Sequence, residues 1–513
     1  VTPKRTLLWS SLVGILAALV ALAIAEVAAA IMVAPGSSPV FAVGSLVIDL
    51  VPAWVKDLVI ALFGTGDKVA LFVVLGLLVV ALAVGVGILQ YQRPPLGVVA
   101  FVVIGAVALL AAVTRAGATG LWAVPTALGV LGGALVLRPV MARLRDWAEA
   151  GGAERVGVTR RRFLVGAGAT AALSLVVGIA ARSVNAAATA VNTVREALTL
   201  PAPAVPAPAV PASASLDVDG ITPLFSANRD FYRIDTALQV PVVDAADWTL
   251  TIDGMVEREV SIDFAELLAL PLVEHSVTLM CVSNEVGGSL VGNATWLGYP
   301  IRDLLKRAGP LPGADMVLSY SIDGFTAGSP LDVLLEEDRT SLLAVGMNGD
   351  PLPIEHGFPA RLVVPGLYGY VSATKWVVRL KVTRFADDMG YWTPRGWSAL
   401  GPVKTASRID VPRSGDPARP GKLTIAGVAW AQHRGIRGVE IRVDDGDWNA
   451  ARLADAISAD TWVQWLYDWD AIPGSHTIAV RATASDGDTQ RENRLPPAPN
   501  GSEGYHTITV RVE

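Results

Sequence analysis

The stretch Val277-Thr278-Leu279-Met280-Cys281-Val282-Ser283-Asn284-Glu285-Val286-Gly287-Gly288 decides how the chain is read. Its first residues, Val277–Met280, form an apolar, partly β-branched run that predicts a buried strand. Cys281 stands at the end of that strand, and polar, glycine-rich chain follows at once. A lone thiol is most often a small buried hydrophobe. A ligand at a strand end needs a setting of this kind too, with backbone free to approach a cofactor. The residues alone leave both readings open. Cys281 is the single cysteine in 513 residues, which excludes an intrachain disulfide and any all-cysteine iron–sulfur or zinc site.

Around this stretch, short strands alternate with short helices. Trp248–Gly254 alternates as a strand, and Phe264–Leu270 reads as a helix stopped by Pro271. Ile301–Ala308 is an amphipathic helix, and Arg361–Val364 and Trp376–Val382 are strands. This mixture predicts an α+β domain over 216–394 rather than a doubly wound sheet. Beyond Pro394 the helical period stops. Leu423–Ala431, Gly438–Val443, Thr461–Asp468, His476–Ala484 and His506–Val512 read as strands, with turns such as Asp445-Gly446. Residues 395–513 are therefore expected to form a small β-sandwich.

A second constellation lies downstream of Cys281. Met347–Pro353 leads into His356-Gly357-Phe358-Pro359-Ala360-Arg361, then a glycine-rich turn through Gly366 and Gly369, then Ser372 and Lys375-Trp376. Arg, His and Lys gathered around glycine turns are the donors that hold a buried anion such as phosphate. Neither a Walker loop nor a dinucleotide-binding glycine fingerprint is present.

The front of the chain is different in kind. Hydrophobic residues make up 52% of the sequence and charged residues 17%, and much of that bias lies before residue 199. Residues 1–198 hold 15 Lys+Arg against 8 Asp+Glu, whereas the remainder is strongly acidic, without the basic footprint of a nucleic-acid binder. Leu7–Ala25, Val69–Leu89, Leu96–Val113, Leu121–Leu137 and Phe163–Ala181 are expected to span a membrane, about five spans in all. Phe41–Phe63 carries Asp49, Pro52, Lys56 and Asp57 and is expected to be interfacial or re-entrant rather than spanning. The arginine-rich stretch Arg138–Arg162 is expected on the cytoplasmic side, which puts everything after about residue 183 outside the cytoplasm. Thr159-Arg160-Arg161-Arg162-Phe163-Leu164 resembles the twin-arginine export motif, a route for domains folded before export. Leu200–Ser215, LPAPAVPAPAVPASAS, favours polyproline II; at about 3.1 Å per residue it is expected to act as a spacer of up to roughly 50 Å. The expected domains are a polytopic membrane domain at 1–158, the export-like motif with the last helix at 159–198, a Pro/Ala linker at 199–215, a catalytic domain at 216–394 and the sandwich at 395–513.

Thr278-Leu279-Met280-Cys281-Val282-Ser283-Asn284, Trp296-Leu297-Gly298, Ser321-Ile322-Asp323-Gly324, the His356…Arg361-Leu-Val-Val-Pro-Gly run and Ser372…Lys375-Trp376 together resemble the molybdenum-cofactor domain of the sulfite oxidase family. The resemblance covers roughly 216–395. The tail, with Gly504-Tyr505-His506-Thr507, is similar to that family's immunoglobulin-like dimerisation domain. The whole resembles a membrane-anchored molybdopterin-dependent oxidoreductase of actinobacterial type. The resemblance implies a single molybdopterin with molybdenum, and Cys281 as the thiolate ligand of the metal. It also implies cofactor contacts from Asn228, Phe231, Tyr232, Arg233, Ser321, His356, Arg361, Ser372 and Lys375. By the same resemblance the reaction is oxygen-atom transfer to or from a small oxyanion or oxide. Electrons are exchanged with a separate partner, a cytochrome or a quinone-linked protein, and the tail pairs two chains.

One departure matters. Where sulfite oxidases resemble each other in an arginine after the Cys-x-x-Asn run, this chain has Glu285, and a carboxylate repels sulfite. Two rival readings use the same residues. Thr-Leu-x-Cys at a strand end also fits a sortase-like cysteine transpeptidase, and an anchored scaffold with a vestigial cofactor site needs no catalysis at all.

Overall fold

The structure, a computed structural model, describes residues 3–32, 35–52, 55, 58–59, 62, 67–115, 118–149, 168, 191, 194–237 and 240–513. It divides into two units: Val1–Ala190 with Ala237–Val240, and Val191–Thr236 with Pro241–Glu513.

The first unit is helical. Four helices are long and apolar enough to cross a membrane: Arg5–Ile31, Lys68–Gln92, Leu96–Val113 and Gly120–Glu149. Each overlaps one expected span. The fifth expected span, Phe163–Ala181, and the arginine motif at 159–164 lie outside the described residues. Phe41–Phe63 is described mainly as the helix Pro39–Leu50. The helices pack through small residues, which lets backbones approach closely. A Cβ on Gly14 would sit 2.0 Å from the Ala83 carbonyl, and one on Gly87 would sit 2.1 Å from that of Ser10. Arg138, Arg143 and Arg145, expected in a loop, belong instead to a helix that runs on to Glu149. Its extension is held by Arg145, whose guanidinium donates to the Gln90 and Tyr91 carbonyls at the C-terminal end of a neighbouring helix.

The second unit is mostly sheet. Its first ten strands are β1 Thr249–Gly254, β2 Val260–Asp263, β3 Val273–Met280, β4 Val291–Pro300, β5 Met316–Ser321, β6 Thr326–Pro330, β7 Leu342–Met347, β8 Asp350–Pro351, β9 Arg361–Val363 and β10 Val377–Thr383. They make two sheets, ordered β2-β1-β10-β5-β6 and β3-β4-β7-β8, with β9 paired to β7. Sequence logic is visible at the helices between them. Phe264–Ala269 begins with a capping box in which the Asp263 carboxylate accepts the Glu266 N–H at 2.8 Å and the Glu266 carboxylate accepts the Asp263 N–H at 3.0 Å. Ile301–Ala308 ends at Gly309 in the left-handed region, φ +70°. β3 is longer than its apolar run suggests, because pairing with β4 draws in Glu274 and His275.

Nine more strands follow: β11 Ala406–Val411, β12 Pro417–Ala418, β13 Gly421–Trp430, β14 Ile436–Val443, β15 Asn449–Ala450, β16 Arg452–Leu453, β17 Val463–Ala471, β18 Gly474–Ala484 and β19 His506–Val512. They form two sheets, β11-β13-β17-β16 and β12-β19-β18-β14-β15. Ile425, Val439, Ile441, Trp465, Ile478, Val480 and Val510 are buried in one shared core.

The Pro/Ala stretch expected as a spacer runs along this unit. Val205 makes a parallel bridge to Val273, and the Ala204 N–H donates to the Leu272 carbonyl at 2.7 Å. Ser213 donates to the Asp455 carboxylate at 2.5 Å, and Ala214 is fully buried. Polyproline II leaves its backbone groups unpaired, so an adjacent strand edge can take them up.

Candidate functional site

β3 pairs with β4 from Val273↔Gly298 to Met280↔Val291. Cys281 extends the pairing by one residue, its N–H donating to the Leu290 carbonyl at 2.9 Å. The turn that follows is tied by Asn284. Its N–H donates to the Cys281 carbonyl at 3.0 Å, and its side-chain oxygen accepts the Leu290 N–H at 2.7 Å. A Cβ on Gly288 would lie 2.6 Å from that oxygen, which accounts for the glycine. The Cys281 side chain is thus held at the root of a tight turn, 8% exposed. Burial pushes its thiol pKa up, and hydrogen bonds with Ser283 partly counter this.

Tyr232 connects the thiol to the basic residues. Burial raises its pKa, and the charges of Cys281 and Arg361 both act on it. Its hydroxyl lies 3.9 Å from the Cβ position of Gly369, where the short helix Gly369–Ser372 begins. Phe231 stacks on Tyr232 at 5.2 Å and meets Trp296 and His356 edge-on at 5.7 and 5.6 Å. Arg361, the first residue of β9, lies over the Trp296 ring at 5.0 Å.

Arg361 is the electrostatic centre. It is 5% exposed, and its hydrogen-bond partners are all main-chain carbonyls: His356 at 3.1 Å, Leu362 at 3.4 Å and Ala373 at 3.4 Å. Among the described residues no carboxylate pairs with it. Burial lowers its pKa to about 10, well above neutrality, so it stays charged. A buried cation met only by carbonyls is short of negative charge, and an anion such as phosphate answers that deficit.

His356 sits beside it. Burial, then the Arg361 charge, lower its pKa to about 4, so the ring is neutral at pH 7. Its Nε2 lies 3.0 Å from the Asn228 carbonyl, which can only accept; Nε2 therefore carries the hydrogen and Nδ1 is an acceptor. Lys375 is buried, with its pKa lowered to about 8 by burial. It donates to Asp235 at 2.8 Å and to the Glu355 carbonyl at 3.1 Å. The same Asp235 oxygen accepts from Arg233 at 3.0 Å.

The remaining expected residues surround this cluster. The Asn228 side chain is engaged with the Met347–Asp350 turn, donating to the Met347 carbonyl at 3.2 Å and accepting from Asn348 at 2.8 Å. Ser372 is fully buried, and its hydroxyl donates to the Tyr368 carbonyl at 2.9 Å. Ser321 closes β5 opposite Val377, next to the Thr374–Trp376 segment, where Ile322 N–H donates to the Trp376 carbonyl at 3.0 Å. Two residues take roles here that the sequence does not give them. Asp235 follows Arg233 by two positions, and an acid next to a basic cluster is a pairing signal. Trp296 was noted, but nothing in its spacing placed it beneath Arg361.

Glu285 is exposed. With Val286, Arg494, Leu495, Pro496, Pro497 and Ser502 it lines a pocket of about 320 Å³ beside the Cys281 turn. Ser502 donates to the Asn284 carbonyl at 2.6 Å, fastening that loop down.

Residues 237–392 match the family model described as an oxidoreductase molybdopterin binding domain. The uncharacterized oxidoreductase YuiH of Bacillus subtilis is 35% identical over 158 residues, 31% of this chain and 76% of that protein. The sulfite oxidase of Gallus gallus is 29% identical over 308 residues, 50% of this chain and 66% of that protein. Of the mitochondrial sulfite oxidase of Homo sapiens the chain covers 47%. Among solved structures, the sulfane dehydrogenase SoxCD from Paracoccus pantotrophus matches with a TM-score of 0.49 and 23% identity, covering 59% of this chain and 85% of that one. With 35% identity over three quarters of one relative and a matching cofactor domain, this chain belongs to the sulfite oxidase family of oxidoreductases, and its cofactor is molybdenum with molybdopterin.

Proposed function

We propose that the protein is a membrane-anchored oxidoreductase that works outside the cytoplasm, moving an oxygen atom to or from a small oxyanion or S- or N-oxide. The observation that carries the reading is the pairing of one buried, unbridged thiol with one buried, uncompensated guanidinium, linked through Tyr232, Phe231 and Trp296. When bound, the cofactor supplies the two-electron oxygen-atom chemistry; the chain binds, orients and excludes water. In this reading Cys281 is the metal ligand, since a soft thiolate suits molybdenum. Arg361, with Lys375 and Arg233 behind it, neutralises the pterin phosphate. Asp235 holds the latter two in place. Neutral His356 offers Nδ1 as an acceptor to a ring or amino N–H. Asn228, Ser321 and Ser372 shape the loops around them, and Phe231 and Tyr232 wall the cleft.

The pocket beside the Cys281 turn favours an oxide over sulfite. Glu285 and Arg494 are opposite charges on one rim, and a dianion gains little from such a pair. A sortase-like nucleophile is less well supported, because burial raises the Cys281 thiol pKa and its hydrogen bonds with Ser283 bring a hydroxyl and not a base. The proposed architecture adds a fifth span at 163–181, an immunoglobulin-like fold for 395–513 able to pair two chains, and a cytochrome or quinone-linked electron partner. Elemental analysis of purified full-length protein tests the reading: stoichiometric molybdenum supports it. A reactive thiol without molybdenum points to the transpeptidase, and bound metal that no substrate oxidises or reduces points to a scaffold.

A further inference from the structure

We propose that the C-terminal β region is a positioning element for the metal ligand, acting through Trp430 on the residue next to Cys281. The inference rests on Cys281 as that ligand. β3 is the outermost strand of its sheet. The free edge of such a strand normally presents unpaired N–H and C=O groups. Here the Pro/Ala stretch occupies it at Val273–Glu274, and residues from the C-terminal region occupy it nearer Cys281, at Thr278. The Thr278 N–H donates to the Asp460 carbonyl at 2.9 Å, Gln432 donates to the Thr278 carbonyl at 3.0 Å, and the Trp462 N–H donates to the Thr278 hydroxyl at 2.8 Å. Upstream, the His275 ring meets the Asp460 carboxylate at 2.7 Å.

The grip is tightest beside the thiol. The Trp430 indole N–H donates to the Met280 sulfur at 3.0 Å, with both side chains buried. Met280 and Val282, the two neighbours of Cys281, belong to one apolar cluster with Val428, Trp430 and Trp462. Met280 ends β3 and Cys281 continues its pairing with Leu290, so side-chain alternation along extended chain turns Cys281 away from the face Met280 presents to this cluster; Val282, in the turn that follows, packs into the same cluster. The direction of the thiol is thus set by what holds its two neighbours. Those holders come from β13 and from Trp462, the residue before β17, about 150 to 180 residues downstream. Packed side chains have few alternative arrangements, so such a grip transmits position rather than slack.

The test compares three substitutions in the loaded, full-length enzyme. Trp430→Phe removes the donor, and Met280→Leu removes the acceptor while keeping volume. Trp465→Phe is the control: it changes a buried tryptophan of the same region whose indole nitrogen has no hydrogen-bond partner among the described residues and which belongs to that region's own core. The readouts are molybdenum content, thermal midpoint, the thiolate-to-metal absorption band, and kcat against KM. We expect Trp430→Phe and Met280→Leu to keep their metal, to shift the band in the same sense, and to lower kcat on the order of tenfold with KM nearly unchanged, as a small misplacement of a reacting centre does. Trp465→Phe should leave band and kcat as in the wild type. A band unmoved in both Trp430→Phe and Met280→Leu overturns the positioning role, as does an equal effect of Trp465→Phe. Cys281→Ser separates this from the underlying reading: a wild-type band in that variant removes Cys281 as ligand, whereas loss of the band there with no shift at Trp430 removes only the positioning role.

Discussion

Replacing Arg361 with Met asks whether its buried charge exists for an anion. Burial lowers the Arg361 pKa from 12.5 to about 10; at about 1.4 kcal/mol per tenfold, keeping it charged in that dry site costs about 3 kcal/mol. Against this stands one well-formed hydrogen bond, to the His356 carbonyl at 3.1 Å. Its loss, with the carbonyl left unsatisfied, costs about 2 kcal/mol. The cation–π contact with Trp296 offsets about 1 kcal/mol more, so cofactor-free Arg361→Met is expected to be as stable as the wild type or slightly more so, as when buried ions give way to apolar side chains of similar volume. With the cofactor the order reverses, because the wild type alone gains the attraction between guanidinium and phosphate, and a ligand bound to the folded state adds to its stability. The assay is thermal unfolding of the full-length protein, made with and without cofactor synthesis in the host, beside molybdenum content. Reduced metal loading together with an unchanged or higher cofactor-free midpoint is expected. A cofactor-free variant that melts well below the wild type, or one that keeps full molybdenum, refutes the reasoning.

Two further outcomes follow from the geometry. Burial opposes the charge on Asp460, but hydrogen bonds from His275 and His433 outweigh it and hold the pKa at about 2 against 3.8, a difference of about 2 kcal/mol. Because the folded value is the lower one, this stability is present above the unfolded pKa and is lost as pH falls through about 2. Asp460→Asn should therefore be less stable by about 2 kcal/mol at pH 7, with the gap roughly halved at pH 3 in unfolding experiments; a gap that does not depend on pH contradicts the assignment. Glu285→Arg should lower KM for sulfite several-fold at low salt, an effect that weakens as salt is added; an unchanged KM at low salt takes the pocket off the substrate's path.

Much of the catalytic domain was legible because local rules sufficed. The helix expected over Phe264–Leu270 and stopped by Pro271 is present as Phe264–Ala269, and Ile301–Ala308 has the same bounds in the sequence and the structure. The span helices follow from apolar length alone. What escaped depends on partners far apart in the chain. Asp235 meets Lys375 across 140 positions, and His275 meets Asp460 across 185, with no periodicity to announce either. The Pro/Ala stretch carries no charge and no amphipathic face, so its sequence holds nothing to predict that it lies along the edge of β3. For the site, the residue types pointed to an anion, but only the structure reveals that Arg361 lacks a carboxylate while Lys375 already has one.

In the proposed site, one buried sulfur, that of Cys281, holds the molybdenum. Molybdenum content and the thiolate-to-metal absorption band, measured side by side in wild type and Cys281→Ser, test it most directly. Stoichiometric metal with the band in the wild type, and loss of the band with an intact fold in the variant, is the result expected. Identical spectra in the two proteins would contradict it.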